Sequence, residues 1–137
     1  MNITNTTKIS MLSTLKSAIA ASTTNPAKLE IYGDVNNADT LIATANIQEV
    51  TDPTPADLTL HLNPTPGNSD ITAIITWGGG SAGDIATVTS FAIKTNSNDT
   101  ILTGTVGTSP NDDITFSTDQ WEFNNTIDIS NLGYRIA

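Results

Sequence analysis

Leu58-Thr59-Leu60-His61-Leu62 is the stretch that decides the fold. Apolar and polar residues alternate there without a break, and a period of two places the leucines on one side of an extended chain with Thr59 and His61 on the other. An amphipathic helix would need apolar residues three and four apart. The segment therefore reads as a half-buried strand with one wet face. Outward from it, runs rich in threonine, valine and isoleucine are bounded by turn residues and give further candidate strands at 28–32, 40–47, 70–77, 85–94, 100–107, 113–117 and 126–136, with the quoted one at 57–62. Between them lie 33–39, 51–55, 63–69, 78–84, 96–99 and 109–112, built from Gly, Pro, Asn and Asp. About eight short strands, with no helix to cross between parallel neighbours, predict a mainly β chain: a single antiparallel β-sandwich or jelly-roll-like domain.

One helix precedes the strands. Ile9, Leu12, Leu15 and Ile19 recur at helical spacing and predict a short N-terminal α-helix over 8–21. Thr6 or Thr7 is in place to cap it, and Asn25-Pro26 closes it, because the residue before proline avoids the helical region. The division expected is an N-terminal arm and amphipathic helix over 1–26 and a sandwich domain over 27–137. A helix this short is marginal alone in water, so its apolar stripe must find a surface, on this domain or on a neighbouring subunit. Ile9, Leu12, Leu15 and Ile19 are accordingly candidate assembly residues, together with Trp77 and Trp121, which border polar or glycine-rich stretches.

Composition narrows the partners. The 137 residues suit one domain, and the absence of cysteine excludes disulfides and thiolate metal sites. The net charge is −9, with Lys8, Lys16, Lys28, Lys94 and Arg135 dispersed rather than clustered. Nucleic acid and anionic membranes are therefore not expected as partners, since both require grouped cations. No apolar run approaches the roughly 20 residues that cross a bilayer, and residues 1–10 lack the pattern of a secretory leader.

The chain offers little for catalysis. Gly78-Gly79-Gly80-Ser81-Ala82-Gly83 has the G-x-G-x-x-G spacing after a candidate strand, but Ile85-Ala86-Thr87-Val88-Thr89 continues as a β pattern where a dinucleotide site needs a helix, and no lysine completes a P-loop. It reads as a mobile glycine loop. His61 is the one histidine and leaves no multi-histidine metal site. Asp112, Asp113, Asp119 and Glu122 are near in sequence, as candidates for a glycosidase pair, yet Asp112 and Asp113 follow Pro110-Asn111 in a turn where aspartate bonds locally. No enzyme and no cofactor are expected. Calcium is the one ion with suitable ligand types, at 34–39, 96–99 and 111–113, without the spacing of a helix-loop-helix site.

Several segments resemble small tailed-phage virion structural proteins of the capsid decoration or cement type. These are Ala27-Lys28-Leu29-Glu30-Ile31-Tyr32-Gly33, Leu41-Ile42-Ala43-Thr44, the hairpin from Phe91-Ala92-Ile93-Lys94 to Thr103-Gly104-Thr105-Val106-Gly107-Thr108-Ser109, and the close Asp113-Ile114-Thr115-Phe116 with Asn125-Thr126-Ile127-Asp128-Ile129-Ser130. The resemblance implies a virion component that binds the outer capsid lattice, with the major capsid protein or another virion protein as partner. A homo-oligomer is implied, a trimer favoured because it matches local threefold positions. Assembly would take place in the host cytoplasm. Two alternatives stand beside it: a tail, neck or fibre component, and a carbohydrate-binding module or adhesin whose site Trp77 and Trp121 would supply.

Overall fold

The protein is described by a computed structural model over residues 1–136, so the last residue of the expected 27–137 domain lies outside the described residues. Helix α1 spans Asn5–Ile19. Thr4, in extended conformation, is its cap, and the Thr4 hydroxyl accepts from the Thr7 amide at 3.3 Å. The expected caps Thr6 and Thr7 lie inside the helix instead. Termination also comes earlier than Asn25-Pro26: Ala20 turns left-handed (φ 53°, ψ 38°) and donates its amide to the Lys16 carbonyl. Lys16 sits in that last turn, where a cation suits the helix dipole.

The strands come in chain order as β1 (Ala27–Val35), β2 (Ala38–Ile47), β3 (Glu49–Val50), β4 (Thr59–Asn63), β5 (Asp70–Ile74), β6 (Ile85–Lys94), β7 (Thr100–Gly107), β8 (Ile114–Thr115), β9 (Gln120–Glu122), β10 (Thr126–Ser130) and β11 (Gly133–Arg135). The main sheet runs β2-β1-β6-β7-β8, and β9 pairs with the start of β6 where β7 has not yet reached it. Smaller sheets, β10-β5 and β11-β4-β3, complete an antiparallel-rich, sandwich-like domain. One pair, β7 with β8, is parallel.

Local chemistry explains the register. The β1–β2 hairpin turns at Asn36-Asn37, both at positive φ (52° and 64°), as the two-residue turn that matches strand twist requires. That turn occupies two residues, so the expected loop over 33–39 is mostly strand. β1 carries a register shift beside Tyr32 on each flank, and Gly33 sits at this irregularity. A Cβ there would lie 2.7 Å from the Thr87 carbonyl oxygen, so only glycine lets β6 approach so closely. The expected strand over 126–136 is broken by Asn131 at φ 56°, which divides β10 from β11. β3 and β9 are too short to have carried a pattern.

One apolar cluster joins every layer. Leu29, Ile31, Ala43 and Ile47 from the main sheet meet Leu60 and Leu62 of β4, Ile71 and Ile129 of the β5–β10 pair, and Leu12 and Ile19 of α1. Leu12 and Ile19 are fully buried. Of the two surfaces left open for the stripe, these two residues take the chain's own domain, so their place among the candidate assembly residues is corrected. The arm at 1–26 and the described residues of the sandwich, 27–136, share one core, and each such side chain contributes roughly 1.5–3 kcal/mol by leaving water.

Candidate functional site

The most distinctive surface lies where β2 and β5 meet. Among the described residues one backbone bond joins them, from the Thr76 amide, just past the end of β5, to the Ile42 carbonyl at 2.9 Å, so each strand keeps a largely unpaired edge. Side chains on β5 alternate: Ile71 and Ala73 enter the core while Thr72 and Ile74 face out. Leu41 and Thr44 of β2 face out beside them. The result is a groove of about 710 Å³, floored by Ala43 and Ala73, flanked by Thr44, Thr72 and Thr76, and edged by Leu41 and Ile74. Those two rim residues are 39% and 59% exposed.

Trp77 and Gly78 close one end. The Trp77 ring meets Phe123 edge to face, with centroids 5.0 Å apart at 79°, and is half-buried. The glycine loop makes this pairing possible. A Cβ on Gly80 would lie 2.4 Å from the Phe123 ring and 2.9 Å from Trp77 Nε1, while Gly79 and Gly83 adopt φ of 82° and 91°. Asp84 ties the loop, its carboxylate accepting from the Ser81 amide at 2.9 Å. The next element is strand β6, so no helix N-terminus meets the G-x-G-x-x-G spacing.

Trp121 is 4% exposed, stacked edge to face on Phe116 at 4.9 Å with its indole N–H donating to the Thr118 carbonyl at 3.1 Å. It belongs to the core, which corrects its assignment to an assembly surface. Ile9 and Leu15 are half-buried, and Leu15 packs on the core. His61 projects from β4 and pairs with Asp57 at 2.7 Å. That hydrogen bond, then one from Thr59, lowers the Asp57 carboxyl below its ordinary value.

The acidic residues serve turns. Asp112 accepts from the Ser109 amide at 3.1 Å, and Asp113 from the Thr105 amide at 2.9 Å. Asp119 and Glu122 flank Trp121 on and beside β9. Among the described residues no group of three or more His, Asp or Glu is assembled as a metal site would need. On the outer face of the main sheet, Glu30 is nearly buried and bonds Lys94 at 2.8 Å, with the Tyr32 hydroxyl within 3.3 Å of both. The Glu30 bond, then that of Tyr32, raises the Lys94 ammonium above its ordinary value.

Leu41 and Ile74 escaped the sequence reading. Ile74 left a trace, an isoleucine standing in the polar phase between Ala73 and Ile75. Leu41 left none, because the irregularity opposite Tyr32 shifts the alternation of β2. Comparison with protein-family models, curated proteins and solved structures found no match to this chain.

Proposed function

We propose that this chain is a non-enzymatic virion structural protein of the capsid decoration type, attaching to the outer lattice through the solvent side of α1 and the residues before it. One observation carries the reading. With Leu12 and Ile19 anchoring the inner side of the helix, Met1, Ile3 and Met11 stay exposed on an otherwise polar segment, Ile3 at 42% and Met11 at 46%. Met11 on the anchored helix, with Met1 and Ile3 ahead of it, leaves apolar side chains to solvent that a docking surface can cover. The acidic β module behind it keeps the free protein soluble until many weak contacts add up on a repeating surface. The virion is then its location and the major capsid protein its partner.

Deleting the helix is a poor test, because Leu12 and Ile19 hold the core. The better variant is Ile3→Asp with Met11→Asp, which alters exposed side chains only. Mixed with capsids of the same virus and sedimented, the variant is expected to stay in the supernatant while the unaltered chain pellets with the particles. Equal pelleting of both would refute the reading.

A further inference from the structure

We propose that the protein surface this chain docks on is acidic, so that the α1 end is drawn to the lattice while the β body is held away from it. The inference rests on the attachment through α1 argued above and adds the chemistry of the partner. Its first ground is the way charge divides along the chain. All 14 acidic residues lie at or beyond Glu30, whereas Lys8, Lys16 and Lys28 precede it, so residues 1–29 carry +3 and the remainder, with Lys94 and Arg135 set against the 14, carries −12. The fold keeps this division: α1 and the segment leading from it into the start of β1 hold the three lysines. Among the described residues the one acidic side chain bonded to the helix is Asp52, matched by Lys16 at 2.7 Å, and Lys8, half-buried one turn ahead of Leu12, takes part in no ion pair. A molecule with one end of opposite sign orients in an external field. A basic lattice would draw the β body towards it, and only an acidic one takes the α1 end first. Three lysines spread over 29 residues are too few to hold a nucleic acid or an anionic membrane.

The second ground is a local rule that α1 does not follow. Acidic side chains in the first turn of a helix stabilise it, because the amides exposed there carry partial positive charge. The first turn of α1, Asn5-Thr6-Thr7, holds none. Thr4 is the cap, and Thr7 stands three residues on, where a glutamate would reach back to the Thr4 amide and close a capping box. A chain rich in acid thus withholds it from the turn where it would most help the helix, on the segment that also leaves Met1, Ile3 and Met11 exposed. Departures of this kind belong to functional surfaces, and repulsion from an acidic partner is the physical reason for this one. The third ground is thickness. An α-helix is about 10 Å across, close to the Debye length of about 10 Å at 0.1 M salt. Acids behind α1 are therefore largely screened from the lattice, while charges on the helix are not.

Co-sedimentation of the full chain with capsids of the same virus, from about 0.1 to about 1 M salt, provides the test. The bound fraction is expected to fall as salt rises, although the chain itself is acidic. Thr7→Glu should raise the thermal midpoint by about 1–4 °C and yet weaken capsid binding about threefold or more at the lower salt. Thr7→Gln closes the same box without a charge, so the difference between the two variants isolates the sign of the partner surface. Lys8→Glu should weaken binding as well. Three results would each overturn the proposal: binding that ignores salt or tightens with it, Thr7→Glu pelleting as fully as Thr7→Gln, or a chain that pellets with phosphatidylserine vesicles and not with capsids. Attachment through α1 is read separately. If Ile3→Asp/Met11→Asp loses capsid binding while salt and Thr7→Glu have no effect, the attachment stands and only the acidic partner is refuted. An unaltered chain that pellets at no salt concentration would refute both.

Discussion

Gly33 and Gly78 are one residue type under two physical demands. A Cβ at Gly33 would press on the Thr87 carbonyl, a backbone atom that cannot rotate away, whereas nothing lies within 4 Å of a Cβ on Gly78. Gly33→Ala is therefore expected to destabilise the protein by about 1–3 kcal/mol. Gly78→Ala should be neutral or stabilising by up to about 1 kcal/mol, through the lower entropy of the unfolded chain. Urea denaturation of the two variants side by side checks this. At Asp57 the pH dependence has a definite sign. Its carboxyl is lowered by the bonds from His61 and Thr59, so the folded state binds that proton less readily than the unfolded chain does. Its contribution is present above the ordinary value near 3.8 and is lost as pH falls through the lower folded value. In His61→Ala the Asp57 carboxyl, followed by NMR, should titrate closer to that ordinary value.

Among elements, α1 is the part whose role the structure changes most. Leu12→Ala removes a fully buried side chain shared with the sheets and is expected to cost about 2–5 kcal/mol. If the helix only decorated the surface, thermal unfolding would barely move. The β1–β2 hairpin makes a second prediction. Asp34 and Asp39 are cross-strand partners and both exposed, placing like charges opposite each other. Asp39→Lys should stabilise by roughly 0.2–1 kcal/mol, and the gain should shrink in high salt. Between β1 and β6, Lys94 is raised by Glu30 and then Tyr32. That contribution is complete below the ordinary lysine value near 10.5 and disappears as pH rises through the higher folded value. The urea midpoint of the native chain should therefore fall in strongly alkaline buffer by more than that of Glu30→Gln.

The whole molecule has one core through which helix, main sheet and small sheets meet, so no layer can leave alone. Helical ellipticity and the fluorescence of Trp121, which is buried against Phe116, should report a single coincident unfolding transition. A helix that melted first would separate the two curves. The β class, the single N-terminal helix and most strand positions were legible in the sequence, because period and turn chemistry are local properties of consecutive residues: Leu60 and Leu62 had to share a face, and the asparagines at 36 and 37 had to lie in a turn. The acidic charge was legible too, since it needs no fold. What each apolar residue touches came only with the folded chain. Leu12 and Trp121 read as assembly contacts and are core, while Leu41 and Ile74, inside candidate strands and singled out by nothing, are exposed. The physical reason is that burial depends on which distant strand lies opposite, and on a register shift beside Tyr32 that no local pattern encodes.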